Sequence, residues 1–538
     1  MKKTLLIPFI LLSQIIVSQT PITATIDYQG YDESQAYFGQ AEYQIFTDTT
    51  DGIFDKPIFI VDGFDPNDTR NIAGMYSALD YDGTNVADIL RAEGFDFVFL
   101  NFPVYTRASD NVVVDGSSDY IQRNAMVLTE LITQINSQKV GNEELVIVGP
   151  SMGGLISRYA LRYMEQNNLD HETRLYISWD SPHKGANLPI EIQYLINYIA
   201  NVNGGNADLQ AAIASTLNSP ASKEMLIDHF SAHLQSGSTF EQDGSILLPI
   251  GAANFRDAFQ AELDAMGFPL QTRNVSISNG SGIGTMSGTP GMEILNHTFD
   301  VPNVANTTID IELHFTPAAN QNIEVTNAIT RYLGVIPLAS FDARSQSFSY
   351  TDGLDSAPGG KYDMQSFLGG VQGNPLLTEL INNLQQADFC FIPTISAMAI
   401  DNEDDWYASI DTGSHAIPFA DWFIPNVNED HVTPTTLNVD FVLQEIRNGQ
   451  ASVSDTSFDS LFKLKQNPVS NEITFLTNSN HNILDVSVVS LTGQKLVSKR
   501  LFNVHNEVKL PINLSNGIYF LKVDANNKSY VKKVIVNN

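Results

Sequence analysis

The sequence predicts an α/β chain in which a mostly parallel sheet with helices on both faces is followed by a small all-β sandwich. Between residues 57 and 180, short apolar strands alternate with amphipathic helices. The apolar fraction of 43% is enough to fill a sizeable core. Residues 458–538 instead alternate polar and apolar positions, with turn residues at short intervals, as a β-sandwich does.

The chain begins with a pattern typical of a secretory signal peptide. Two lysines follow the initiator methionine, and an apolar run then extends from Leu5 to Val17. This run is shorter than the roughly 20 residues that span a bilayer, and no later segment is longer and equally apolar. We therefore expect a signal peptide over residues 1–18, no transmembrane segment and an exported protein.

Charge is unevenly distributed along the chain. Residues 457–538 contain 10 of the 29 basic and 5 of the 61 acidic residues, so the preceding part holds 19 basic and 56 acidic ones. This difference indicates two separately built units. The strongly acidic first part would be repelled by nucleic acid and by anionic lipid surfaces, so neither is an expected partner.

Residues 57–180 repeat a strand–helix pattern. The apolar strands are at 58–61, 97–100, 145–148 and 175–177, and the helices between them are at 86–92, 121–132 and 151–166. Strands that are apolar almost throughout are typical of parallel sheets buried on both faces. The pattern therefore predicts a parallel sheet with helical crossovers.

The rhythm stops between about residues 186 and 387, and we interpret this stretch as a large insertion. It contains one more expected strand of the sheet, at 275–278, and a group of strands with turns at 296–350. The apolar helix at 188–202 has two interpretations, a lid over a binding cleft or a buried helix of an accessory layer.

Sheet character returns at Phe389–Met398, which we predict to be the last strand of the sheet. A loop at 401–430, a helix ending near Gly449 and a polar linker at 450–457 are expected to follow. The single cysteine, Cys390, lies within this apolar run. It is therefore expected to be a core residue without a disulfide and without reactivity.

Residues 149–153 read Gly-Pro-Ser-Met-Gly and fit the pattern G-x-S-x-G. The match directly follows the strand 145–148 and directly opens the helix 151–166. A sharp strand-to-helix turn of this kind presents a serine oxygen at the edge of the sheet, and its glycines are needed where the backbone approaches itself. Ser151 is therefore the predicted nucleophile.

A serine nucleophile needs N–H donors for the oxyanion that forms during acyl transfer. The backbone N–H of Met152, at the N-terminus of the elbow helix, is one candidate. The other is the N–H of Phe64, because Asp62-Gly63-Phe64 follows the strand 58–61. An ordinary turn remains the alternative interpretation of Asp62-Gly63.

The motifs at 62–64, 149–154 and 180–185 together resemble α/β-hydrolases of the lipase and esterase type. The segment 182–185 reads Pro-His-Lys-Gly and is similar to a Pro-His-x-Gly segment of those enzymes. The likeness covers roughly residues 55–190 and 389–449. It implies a catalytic domain over residues 19–449, interrupted by the insertion at about 186–387, and a Ser-His-acid triad.

The histidine base is expected after the last sheet strand, as in that family. His431 has this position, and His415 in the same loop is the reserve candidate. His183 belongs to the Pro-His-x-Gly segment, which implies a structural role. An exposed loop histidine remains the alternative interpretation of His431.

The third member of the triad must orient the imidazole and stabilise its charged form. Asp180 ends the strand beside the elbow strand and is our first candidate, whereas Asp401 follows the strand at 389–398 and is the alternative. The neighbouring Asp430 is expected to point elsewhere. The strand 275–278 ends in Asn-Gly-Ser and offers no carboxylate at the commonest position for this acid.

These residues predict a secreted serine hydrolase that cleaves a small or lipidic carboxylic ester through an acyl-enzyme. No cofactor and no metal are expected, because we interpret the acidic segment 401–405 as a solvated loop rather than a calcium site. Two alternatives remain. One is an inactive surface or binding protein on a hydrolase scaffold. The other is a peptidase or carbohydrate-ester deacetylase that uses the same triad.

The tail, residues 458–538, resembles the C-terminal sorting module of type IX secretion. The resemblance rests on Asn-Pro at 467–468, Leu-Thr-Gly-Gln at 491–494, the segment 514–521 and the basic, apolar end at 532–536. It implies that secretion machinery is a partner and that the protein is released or held at the cell surface. An immunoglobulin-like binding module is the alternative.

Overall fold

The central sheet forms where the sequence has its longest buried apolar runs, and eight strands take part in it. The computed structural model describes residues 19–202, 205–301, 304–365, 375–411, 413–448, 462–477, 481–490, 495–525 and 528–537. In spatial order the strands are Thr20–Tyr28, Tyr37–Phe46, Asp96–Asn101, Pro57–Val61, Leu145–Pro150, Thr173–Trp179, Arg273–Ile277 and Asp421–Phe423. At one edge, the second strand is antiparallel to both the first and the third. The third to eighth strands all run parallel to one another. The predicted mostly parallel sheet is confirmed.

Helices fill the crossovers between the parallel strands, as the alternation predicts. The α-helices are Ile72–Ser77, Val86–Ala92, Ile121–Gln138, Met152–Gln166, Ile190–Asn201, Ala207–Ser215, Pro220–Met225, Arg256–Met266, Pro375–Asn383, Thr394–Ala397 and Thr436–Asn448. The helix at Met152 packs on its own strand and on the helix before it. Leu155, Ile156 and Ala160 are fully buried there, at the spacing expected for a helix facing a sheet. None of the described helices is both long enough and apolar enough to cross a membrane.

The insertion builds a second sheet of four antiparallel strands, Glu293–Asp300, Thr307–His314, Asn322–Tyr332 and Ile336–Gln346. We call it the insertion sheet. The helix Ile190–Asn201 packs against it, with Tyr198 stacked on Phe341 at 4.7 Å between ring centroids. Almost every residue of this helix is buried. The lid interpretation of this segment is therefore wrong, and the buried-helix interpretation is correct.

The prediction for the last strand of the central sheet is wrong. Asp388–Pro393 pairs antiparallel with Gly359–Asp363 in a separate two-stranded ribbon, which we call the ribbon, and the chain then turns into the short helix Thr394–Ala397. The last strand of the sheet is Asp421–Phe423, inside the predicted loop 401–430. An apolar run indicates burial but does not name the partner strand, and a three-residue edge strand is too short for a periodic signal. The further strand expected at 275–278 is confirmed at Arg273–Ile277.

The chain divides into two compact units between Val442 and Leu443. The second unit has two antiparallel sheets, one of Phe462–Leu464, Glu472–Thr477 and Glu507–Pro511 and one of Lys495–Val504, His481–Val489, Gly517–Ala525 and Lys528–Val536. Their inward residues, among them Phe475, Val486 and Leu521, form one core, as the predicted β-sandwich requires. The predicted signal peptide 1–18 and linker 450–457 lie outside the described residues.

Candidate active site

The turn at Ser151 is sharp and strained. Ser151 has φ 54° and ψ −130°, a conformation that costs free energy in a residue with a side chain. Its N–H donates to the carbonyl of Trp179 at 2.8 Å, which ties the turn to the neighbouring strand. A methyl group on Gly149 would lie 2.5 Å from the Gly153 carbonyl oxygen, and one on Gly153 would lie 2.2 Å from the Val61 oxygen. The turn therefore tolerates only glycine at these two positions, and Ser151 stays partly exposed.

Both predicted oxyanion donors lie at the same end of the sheet. Met152 is the first residue of the elbow helix, where backbone N–H groups have no partner within the helix. A methyl group on Gly63 would lie 3.3 Å from Ser151 Cβ and 3.7 Å from the Met152 nitrogen. The loop that carries Phe64 thus lies directly against the elbow, and Phe64 itself is half-buried.

An ion pair holds the loop that carries Phe64, and the sequence did not point to it. Asp62 is buried, and its Oδ1 accepts a hydrogen bond from Arg70 Nη2 at 2.5 Å. Burial raises the pKa of Asp62 to about 6, although the Arg70 charge acts in the opposite direction. The Arg70 backbone N–H also donates to Asp65 at 2.6 Å. Arg70 therefore ties the loop together from both its side chain and its main chain.

The structure brings Asp180 and His431 together across 251 positions of sequence. His431 Nδ1 lies 2.7 Å from Asp180 Oδ2, and Asp180 Oδ1 accepts the Asn279 N–H at 3.0 Å. Asp180 is fully buried and directly follows Trp179, which pairs with Pro150 of the elbow strand. The Asp180–His431 pair therefore lies at the carboxyl end of the strand Thr173–Trp179, which neighbours the strand that leads to Ser151.

The other ring nitrogen of His431 remains unused. Among the described residues, the buried Nε2 has no hydrogen-bond partner, Ser151 Oγ included. The ring packs edge-on against Phe391, with 4.9 Å between ring centroids and an interplanar angle of 86°. Hydrogen bonds between catalytic groups are often long in a site without substrate, so this geometry is compatible with a histidine base.

The ribbon positions this pair. The His431 N–H donates to the Lys361 carbonyl at 2.8 Å, and the Lys361 N–H donates to the Glu429 carbonyl at 2.9 Å. A methyl group on Gly360 would lie 1.9 Å from Asp180 Oδ2, so the ribbon backbone covers the carboxylate. Sequence reasoning missed this contact. The adjacent glycines at 359–360 were the available signal, because glycine inside a strand often marks close backbone approach.

The alternative acid, Asp401, lies elsewhere. It forms an ion pair with Lys184 at 2.5 Å, and its side chain is 72% exposed. Asp430 pairs with Lys361 at 3.2 Å and, as expected, points away from the imidazole. Of these three aspartates, Asp180 alone forms a hydrogen bond with His431.

The other candidate histidines also have different partners. His415 Nε2 lies 3.6 Å from Glu403. His183 is buried, with Nε2 2.8 Å from Ser178 Oγ, and burial together with the nearby Arg158 lowers its pKa well below the usual value. A neutral, hydrogen-bonded His183 fits the structural role that the resemblance implies.

One group of side chains in the described part of the chain has metal-ligand spacing, and it is not at this site. Glu293, Glu312 and His314 meet on the insertion sheet. Both carboxylate oxygens of Glu293 already accept amide hydrogens, from Asn296 and Gln385. The segment 401–405 does not form such a group.

Two protein-family models match this chain. Residues 57–222 match the PGAP1-like alpha/beta domain, and residues 467–537 match the secretion system C-terminal sorting domain. Comparison with curated protein sequences found no match.

Many solved structures show similarity at low sequence identity. Est1E from Butyrivibrio proteoclasticus is 10% identical, with a TM-score of 0.23, over 44% of this chain and 72% of Est1E. The peroxisomal α/β-hydrolase Lpx1 from Saccharomyces cerevisiae is 11% identical, with a TM-score of 0.25, over 48% and 73%. The α/β-hydrolase GrgF from Penicillium sp. is 14% identical, with a TM-score of 0.19, over 31% and 48%, so this chain spans less than half of its length.

The first matched region contains the loop with Phe64, the turn at Ser151 and Asp180, and the second contains most of the C-terminal sandwich. The chain therefore carries an α/β-hydrolase domain of the PGAP1-like kind, followed by a C-terminal sorting domain of a secretion system.

Proposed function

We propose that the protein is a secreted serine hydrolase that cleaves carboxylic esters with Ser151 as nucleophile, His431 as base and Asp180 as the orienting acid. The observation that supports this most is the 2.7 Å contact of His431 Nδ1 with buried Asp180, beside a strained serine turn. Segments far apart in sequence meet there, and the buried Nε2 of His431 is left without a hydrogen-bond partner among the described residues.

The arrangement defines the proton positions. An ionised Asp180 can only accept, so Nδ1 of His431 carries the proton and Nε2 keeps its lone pair. Nε2 then removes the proton of Ser151 Oγ as this oxygen attacks the ester carbonyl. The Asp180 charge stabilises the imidazolium, which next donates its proton to the leaving alcohol.

The remaining steps use water and backbone donors. The N–H groups of Met152 and Phe64 hold the oxyanion of each tetrahedral intermediate. After the alcohol leaves, His431 activates a water molecule that attacks the acyl group on Ser151. The carboxylic acid is released, and the serine is regenerated.

Replacement of Ser151 tests the proposal. Ser151→Ala is expected to lower kcat for a short p-nitrophenyl ester by about 10⁴-fold or more, because no other group supplies the nucleophile. The matched control is Ser137→Ala, since Ser137 is exposed near the end of a helix and bonds only the Gln134 carbonyl. Undiminished hydrolysis by a folded Ser151→Ala protein would reject the proposal.

A further inference from the structure

One end of the insertion sheet carries an exposed apolar segment that no other part of the described chain covers. Residues 332–338 read Tyr-Leu-Gly-Val-Ile-Pro-Leu, and all seven are exposed. We call this segment the apolar tip. Its most exposed large side chains are Leu333 at 58%, Val335 at 72%, Ile336 at 50% and Leu338 at 59%. Consecutive exposed apolar residues are unusual on a soluble protein and mark interaction sites.

The tip is a tight hairpin turn with apolar residues on both faces. Tyr332 pairs with Ile336 at the end of the last two strands of the insertion sheet, and the turn between them has positive φ angles at Leu333 (53°) and Gly334 (69°). Successive side chains of a strand point to opposite faces, and the strand begins at Ile336, so Ile336 and Leu338 lie on one face and Pro337 lies on the other. Neither face of the tip is polar.

A neighbouring turn extends the apolar surface. The Leu333 N–H donates to the Asn306 carbonyl at 2.7 Å, which joins the tip to the turn between the first two strands of the insertion sheet. Val304 of that turn is also exposed. Further along the same strands, Phe341 and Ala343 are buried. One face of the sheet is therefore packed along its body, whereas at this end the apolar side chains are uncovered.

The charges around the tip identify the partner that it fits. The tip contains no charged residue, and the preceding Arg331 is neutralised by Asp310 at 2.6 Å. The whole chain has a formal charge of −32, so an anionic surface repels it. Because both faces are apolar, the tip is suited to a medium that surrounds it rather than to a surface that covers one side.

We propose that the apolar tip docks the protein on a lipid surface without net charge by inserting its turn among the lipid chains. Tyr332 lies at the base of the tip, where its ring would meet the polar boundary of the lipid layer. Docking does not require the triad. The proposal therefore goes beyond ester hydrolysis and can fail independently of it.

Flotation of the full chain with phosphatidylcholine vesicles tests the proposal. The wild-type protein is expected to float with these vesicles and to float less with vesicles enriched in phosphatidylglycerol. Val335→Asp and Leu333→Asp should each lower the bound fraction about tenfold or more, because each removes an apolar side chain that inserts into the lipid and adds a charge there. The matched control is Leu270→Asp, since Leu270 is 79% exposed and lies outside the insertion sheet.

The readouts separate docking from folding and from catalysis. Hydrolysis of a soluble short ester should be the same for the tip variants and the wild type, and Ser151→Ala should float like the wild type. Equal flotation of Val335→Asp and wild type, or no flotation of the wild type, would overturn the proposal. A concentration-dependent dimer that Val335→Asp abolishes would assign the tip to a second copy of the chain and would also overturn it.

Discussion

Three residues in or next to the candidate site have a strained backbone. Ser151, Asp180 and Val432 have φ angles of 54°, 47° and 51°, and Val432 directly follows His431. Such angles are costly for residues with a side chain and especially for a β-branched valine. Backbone hydrogen bonds to neighbouring strands hold Ser151 and Asp180, and one to the ribbon holds His431. Placing these three side chains therefore costs conformational free energy that the surrounding fold offsets.

The contact of Gly360 with Asp180 yields a prediction. Gly360→Ala forces a methyl group towards Asp180 Oδ2 and displaces the carboxylate. We expect kcat for a short ester to fall about 100-fold, as for a misplacement of about 1 Å in a catalytic group. Gly244→Ala is the control, because a methyl group there meets nothing within 4 Å. Equal kcat values for both variants would show that the ribbon does not position Asp180.

The pair of Asp62 and Arg70 yields a second prediction. Arg70→Met leaves a buried carboxylate without its partner and loosens the loop that carries Phe64. We expect kcat to fall about tenfold or more with a smaller change in KM, because an oxyanion donor acts mainly in the transition state.

Two further variants check this role of Arg70. Arg70→Lys should restore part of kcat, because it keeps the charge near Asp62. Arg331→Met removes an ion pair of the insertion sheet and should leave kcat unchanged. A higher KM with an unchanged kcat in Arg70→Met would contradict a role of Arg70 in positioning the oxyanion donor.

Elements with a strong periodic pattern were predictable, and elements defined by their partners were not. The elbow strand and helix follow from buried residues at regular spacing and from the G-x-S-x-G turn. The ribbon and the short strand Asp421–Phe423 depend on pairings between segments far apart in sequence. Ser151 was named as a candidate from the G-x-S-x-G turn, and His431 and Asp180 were named from the resemblance to lipases and esterases. The roles of Gly360 and Arg70 depend on contacts that no motif marks, and they were not predicted.

A short helical segment of the insertion yields a prediction for acid stability. His229 caps the segment Phe230–His233 by accepting the Ser231 N–H, and its Nε2 contacts the Leu217 carbonyl at 2.8 Å. Burial lowers the pKa of His229 from its usual value of 6.5 to about 4. The unfolded chain therefore binds a proton that the folded chain does not, and stability is lost as pH falls through this window.

Urea unfolding at pH 7 and pH 4.5 measures this effect. His229 should contribute about 2 kcal/mol to the decrease in the free energy of unfolding between these pH values. His229→Gln should therefore lose less stability on acidification than the wild type. His297→Gln replaces a partly exposed histidine and should behave like the wild type. The same decrease in all three proteins would contradict the assignment.

At the scale of the whole molecule, the division into two units follows the charge pattern. The acidic first part contains the central sheet and the insertion, and the basic tail has its own core. Composition and the tail motifs predicted a C-terminal module made of β-strands. In the insertion, the strands expected at 296–350 and the helix expected at 188–202 are present, but the pairing of these strands into one antiparallel sheet packed on the helix was not predicted, because apolar runs do not identify their partners.

Removal of residues 458–538 tests the independence of the two functions. We expect kcat/KM for a short soluble ester to stay unchanged, because every candidate catalytic residue lies in the first unit. Export from the producing cell should be lost with the sorting domain. A large loss of hydrolysis by a folded truncated protein would show that the tail contributes to the site.

The role of Ser151 as an activated nucleophile is tested most directly by covalent labelling of the wild-type protein with a fluorophosphonate, followed by mass spectrometry of its peptides. A serine activated by an adjacent imidazole reacts with this probe, whereas ordinary serines do not. We expect one adduct, on the peptide that contains Ser151, with slow labelling in His431→Ala and Asp180→Ala. No adduct on folded protein, an adduct on another serine, or labelling that is unchanged in His431→Ala would contradict this role.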